Sequence, residues 1–130
     1  MIDSPVVLVV DDMLETRRLM RRVLERDRIT VIEAATGEDA LRLIAARRPA
    51  LVVLDLRLPQ MSGFDVARAV RRHPDPIVAA TPLLACSASV QADIQARALD
   101  AGCDAFEGKP FDVTRFASRI RSLIGVRGAA

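Results

Sequence analysis

Val6 to Val10 are five apolar, mostly β-branched residues that run directly into Asp11-Asp12. A continuous run of this kind, without polar alternation, predicts a strand buried on both faces. Leu51 to Leu54, ending at Asp55, and Leu83 to Cys86, ending at Ser87, have the same character. Thr30 to Glu33 and Asp104 to Glu107 complete the set as short strands. Between these runs the period changes. Leu19, Met20, Val23 and Leu24 recur at helical spacing among Arg17, Arg18, Arg21 and Arg22, which predicts an amphipathic helix. A second helix begins after Gly37, carries Ala40, Leu41 and Ile44, and stops before Pro49. A loop from Leu56 to Gly63 leads to a third helix with Phe64, Ala67 and Val70. The stretch from His73 to Pro82 holds three prolines and is expected to be an irregular connection. Ala92 to Ala101 forms an Ala-rich helix closed by Gly102, and a last helix carries Phe116, Ile120, Leu123 and Ile124.

Five strands alternating with five helices predict an α/β fold. Parallel neighbours require crossovers, and the crossover helices cover both faces of a doubly wound, five-stranded parallel sheet. The 130 residues suit one domain, spanning 1–130, with residues 126–130 expected as a frayed tail. No internal repeat, low-complexity tract or linker interrupts the order.

Composition narrows the class. Hydrophobic residues make up 51% and charged residues 28%, which fits a folded soluble domain and excludes disorder, collagen-like repeats and disulfide scaffolds. No apolar run is long enough to span a membrane and no export signal opens the chain, so no membrane partner and a cytoplasmic location are expected. Cys86 and Cys103 form no C-x-x-C pair and read as buried free thiols. The 19 basic residues nearly balance the 17 acidic ones, so charge alone does not require nucleic acid. The arginines of the first helix, including Arg26, read as a solvated face or a docking surface, since no aromatic residues are interleaved with them. Of all the basic residues only Lys109 is a lysine. A lone compact ammonium among arginines points to a site that needs a point charge.

In open α/β sheets, ligands bind beyond the carboxyl ends of the strands, near the reversal of strand order. Five chemically capable residues end strands here: Asp11 and Asp12, Asp55, Ser87 and Lys109. Each also has a structural reading, as a helix cap for Asp11, Asp12 or Ser87, a turn for Asp55, and a loop residue for Lys109. Their convergence is more telling. Three clustered carboxylates repel unless a cation neutralises them, and Mg²⁺ with oxygen ligands is the economical one. Asp55, alone at the end of a central strand, is then the candidate nucleophile on phosphorus, with Ser87 and Lys109 placed to stabilise the transferring group.

The segments V-L-V-V-D-D (Val7 to Asp12), L-V-V-L-D-L-R-L-P-Q-M-S-G (Leu51 to Gly63), L-L-A-C-S-A (Leu83 to Ala88) and G-C-D-A-F-E-G-K-P-F (Gly102 to Phe111) together resemble the receiver domain of two-component response regulators. The match runs from about Val6 to Ile124. The resemblance implies a flavodoxin-like fold with strand order 2-1-3-4-5. It implies phosphorylation of Asp55 by a histidine kinase or histidine phosphotransfer protein, and a domain that is not an enzyme beyond promoting its own phosphorylation and dephosphorylation. It implies Mg²⁺ held by Asp11, Asp12, Asp55 and the backbone carbonyl of Arg57. It also implies a switch in which Ser87 and Lys109 grip the phosphoryl group and the aromatic Phe106 moves inward. The Ala92–Ala101 helix, the fifth strand and the last helix would then form the surface that signals to a downstream protein or output domain. Against this stands the reading of Phe106 as plain core. Side chains at Arg57 and Ser89 would influence phosphoryl lifetime. The alternative function is a phosphorylation-independent, receiver-like binding module.

Rival chemistries fail on spacing. Gly102 to Lys109 lacks the glycine spacing of a phosphate-binding loop, and Pro110 stands where Ser or Thr is required. A haloacid dehalogenase-type phosphatase needs a second Asp where this chain has Arg57.

Overall fold

The computed structural model describes residues 4–109 and 112–128, with side chains up to residue 125. Five strands, β1 (Val6–Val10), β2 (Thr30–Ala34), β3 (Leu51–Asp55), β4 (Leu83–Ser87) and β5 (Ala105–Gly108), form one sheet. Six helices join them: α1 (Leu14–Glu25), α2 (Gly37–Arg47), α3 (Gly63–Arg71), α4 (Pro76–Ala79), α5 (Ala92–Ala101) and α6 (Val113–Gly128). Every strand pair is parallel and the order is β2-β1-β3-β4-β5. This is the doubly wound α/β architecture expected from the alternation, with a reversal of direction between β1 and β3.

Although the central strands are apolar throughout, their side chains still divide between two cores. Leu8, Val10, Val52, Leu54, Leu83 and Ala85 meet Ala40 and Ile44 of α2 and Val66 and Val70 of α3. Val7, Val9, Leu51, Val53, Leu84 and Cys86 meet Met20 and Leu24 of α1 and Phe116 and Ile120 of α6. Burial on both faces removes the alternation that half-exposed strands show.

Four expectations need correction. The Pro-rich connection is not wholly irregular, because Asp75 caps α4 by accepting from Ile77 N and Pro76 occupies the first turn, where its missing N–H costs nothing. The helices among the described residues therefore number six. The fifth strand starts one residue later than expected: Asp104 is drawn out of it to accept from Leu83 N and pair with Arg71. The last helix runs on to Gly128, past the start of the expected tail, and residues 129 and 130 lie outside the described residues. Leu19, grouped with the apolar face of α1, is 42% exposed; Met20, Val23 and Leu24 carry that packing.

Candidate functional site

Asp11, Asp12 and Asp55 are brought together at the carboxyl edge of the sheet. One carboxylate oxygen from each lies within 4.8 Å of the others. Asp55 is the last residue of β3, the central strand, and Asp11 follows β1 beside it. Asp11 and Asp55 are buried, whereas Asp12 is exposed. Lys109, just past β5, reaches across this edge with Nζ 2.7 Å from Asp11 Oδ2 and 3.3 Å from Asp55 Oδ2. The lone lysine is thus the cation of the cluster.

Local backbone geometry aims these groups. Arg57 N donates to Asp55 Oδ1 and Met13 N donates to Asp11 Oδ1, so each buried carboxylate is fixed by the chain two residues on. Neither Asp11 nor Asp12 is the N-cap of α1; that position is Met13, which has no side-chain cap. Gly63 opens α3 directly against the end of β3. A Cβ there would lie 2.4 Å from the Asp55 carbonyl oxygen and 2.7 Å from Leu56 Cα, so only glycine allows this approach. Ser62 and Asp65 close a reciprocal capping box beside it.

The electrostatics follow from burial. Removal from water is the largest influence on Asp55 and raises its pKa, with the Asp11 charge adding to it; the Arg57 N–H and the Lys109 ammonium oppose without cancelling. Burial pulls Lys109 down, but its hydrogen bond to Asp11 and the Asp55 charge outweigh that and leave it raised, hence protonated. Three carboxylates facing one ammonium leave a surplus of negative charge. An all-oxygen donor set of this size and charge fits a hard divalent cation such as Mg²⁺.

Ser87 ends β4, next to Cys86, the register partner of Asp55. Its hydroxyl accepts from Ser89 N rather than capping α5, whose N-cap is Gln91. Ser87, Ser89, Arg57, Ser62, Phe64 and Ile94 line an open cavity of about 300 Å³ beside the end of β3. Phe106 is half-buried, packed on the core beneath α2, α3 and α5. Pro110 and Phe111 of the fourth segment lie outside the described residues.

Two features escaped sequence reasoning. Glu107 is buried on β5, with Arg115 at 3.7 Å and Arg119 at 3.9 Å, and its Oε1 accepts no hydrogen bond among the described residues. The arginine face of α1 also divides: Arg18, Arg22 and Arg26 are exposed, while Arg17 and Arg21 grip Glu33 on β2. Both join consecutive elements, α1 to β2 and β5 to α6, through contacts set by how each helix packs against its strand, which no local pattern announces. Both cysteines are buried, and burial pushes the Cys103 thiol up to about 11 and raises that of Cys86 as well.

Comparison with known proteins agrees with this geometry. The profile of the response regulator receiver domain family matches residues 7–121, and the chain belongs to that family. Its relatives include the transcriptional regulatory protein KdpE of Mycobacterium tuberculosis, 38% identical over 124 residues, covering 95% of this chain and 53% of the relative. The response regulator MprA of Mycolicibacterium vanbaalenii is 36% identical over 118 residues, covering 91% of this chain and 49% of the relative. The chain spans about half the length of these curated relatives. Among solved structures, the receiver domain of the Francisella response regulator 1452 superposes with a TM-score of 0.86 at 25% identity, covering 95% of this chain and 99% of that one. The chain is a receiver domain of two-component signalling. Among the described residues no helix is long and apolar enough to cross a membrane.

Proposed function

We propose that this receiver accepts a phosphoryl group on Asp55 from the phosphohistidine of a histidine kinase or phosphotransfer protein, in a cytoplasmic setting. The observation that carries the reading is the placement of Asp55 at the end of the central strand, with Lys109 Nζ at 3.3 Å and the Asp11 and Asp12 carboxylates within 4.8 Å. An Asp55 carboxylate oxygen attacks phosphorus, the phosphorus–nitrogen bond to the donor imidazole breaks, and the imidazole keeps the electron pair and takes a proton. An acyl phosphate on Asp55 results.

Asp11, Asp12, Asp55 and the backbone carbonyl of Arg57 would hold Mg²⁺, which supplies charge neutralisation to the phosphoryl oxygens. Lys109, already held at the acceptor by Asp11, gives its ammonium to a phosphoryl oxygen. The Ser87 hydroxyl, at the end of the neighbouring strand, donates to another. As Ser87 is drawn toward the phosphoryl group, Phe106 turns inward and the α5, β5 and α6 surface changes, signalling to a downstream protein or an output domain. Removal of the phosphoryl group by water restores the first state. No direct nucleic-acid contact is assigned to this domain.

Incubation with acetyl phosphate and Mg²⁺, read by intact mass, tests this. A single phosphoryl adduct that requires Mg²⁺ and is lost in Asp55→Asn is expected. Absence of an adduct on the wild type, together with failure to bind beryllofluoride, would leave the phosphorylation-independent binding module as the better reading.

A further inference from the structure

The carbonyl of Asp11 is the oxygen of the peptide that joins Asp11 to Asp12, and it accepts from Arg17 Nη1 at 2.7 Å. Arg17 is itself held, because its Nε donates to Glu33 Oε1 at 2.9 Å and its side chain is only 14% exposed. Glu33 sits on β2, where it is register partner to Val9 of β1, and its second oxygen accepts from Arg21 Nε at 2.7 Å. A chain of contacts therefore runs from the edge strand, through Glu33 and Arg17, to the peptide that leads into Asp12.

The two buried carboxylates are otherwise fixed: Asp11 by Met13 N and Lys109, and Asp55 by Arg57 N and Lys109. Asp12 is exposed, and its carboxylate has no hydrogen bond or ion pair among the described residues. Its position follows from the preceding peptide, whose carbonyl is held by Arg17, while the Asp11 side chain spans the same turn through Met13 N. A guanidinium suits the task because its rigid fork reaches a carboxylate with one nitrogen and a carbonyl with another.

We propose that Arg17 is a positioning residue for the acidic cluster, with Glu33 as its anchor: it orients the Asp11–Asp12 peptide and thereby sets the affinity of the site for Mg²⁺. The proposal rests on the reading of the cluster as a Mg²⁺-dependent phospho-acceptor site. Arg21 provides the internal control. It shares Glu33 and the same helix, but its hydrogen bonds among the described residues go to Glu33 and Glu25 and not to Asp11. A merely structural tie between α1 and β2 would make the two arginines equivalent.

The test is titration calorimetry of Mg²⁺ into the wild-type chain, Arg17→Met, Arg17→Lys and Arg21→Met, paired with the Mg²⁺ dependence of the acetyl phosphate adduct by intact mass. Arg17→Met should weaken Mg²⁺ by about ten-fold, as loss of a residue that orients a ligand does. The final adduct yield should be retained at saturating Mg²⁺. Arg17→Lys, which keeps the charge but not the fork, should fall between, and Arg21→Met should stay within about two-fold of wild type. Wild-type affinity in Arg17→Met, or equal weakening in Arg21→Met, overturns the proposal while leaving the acceptor reading intact. If Arg17→Met does not fold, Arg17→Lys decides, and unchanged affinity there overturns it. A wild-type chain that binds no Mg²⁺ overturns both.

Discussion

Lys109 Nζ stands 2.7 Å from Asp11 Oδ2 and 3.3 Å from Asp55 Oδ2, so three ionisable groups share one partly dry volume. Burial and the Asp11 charge raise the pKa of Asp55. The folded state thus holds its proton at a pH where the unfolded chain has lost it, and stability falls as pH rises through the folded pKa. At neutral pH and without metal, Asp55→Asn should therefore unfold at a higher temperature than wild type, and the gain should shrink toward the unfolded carboxylate pKa near 3.8. Calorimetric melts across pH check this; an Asn variant less stable at neutral pH contradicts it. Lys109→Met has the opposite sign. Asp11, 1% exposed, would lose its ammonium partner, a loss of about 2 kcal/mol measurable by urea unfolding. At this scale the meeting of Asp11, Asp12, Asp55 and Lys109 was legible because each lies at or just past a strand end, and strand ends are where an open sheet places chemistry. Arg17 and Glu33 were not, since their contact depends on how α1 lies over the edge strand.

Helix α3 illustrates how an element serves the site. Its first residue, Gly63, abuts the backbone of Asp55 and Leu56, so α3 and the end of β3 meet with no side chain between them. Gly63→Ala should cost about 1–3 kcal/mol in chemical denaturation, the range for overpacking against atoms that cannot yield. It should also slow adduct formation on Asp55, because the carbonyl that must shift is that of Asp55 itself. A variant with wild-type stability and labelling rate would show that the contact relaxes freely. Apolar runs and helical periods located ten of the eleven elements. The exception, α4, had its signal in Asp75-Pro76, a cap followed by an N1 proline; three prolines in ten residues masked it. The shift of β5 by one residue had no local signal, because Asp104 leaves the strand for Arg71, a partner on α3.

The whole molecule is an apolar sheet between two helical layers, with a local cluster of three carboxylates gathered at one edge near the crossover between β1 and β3. Repulsion at that edge opposes the burial that stabilises everything beneath it, so a cation bound there should stabilise the entire fold. At a free Mg²⁺ concentration one hundred times the dissociation constant, the linkage is about 2.7 kcal/mol. Protons compete for the same oxygens, and the competition involves Asp55 at higher pH than an ordinary carboxylate because its pKa is raised. The Mg²⁺-induced rise in melting temperature should therefore be full near pH 7.5 and clearly smaller near pH 5, where metal loses ground to the proton. Differential scanning calorimetry at both values, with and without Mg²⁺, reads this directly. A rise that is equal at the two pH values, or that persists unchanged in Asp55→Asn, would place the stabilising cation elsewhere on the molecule.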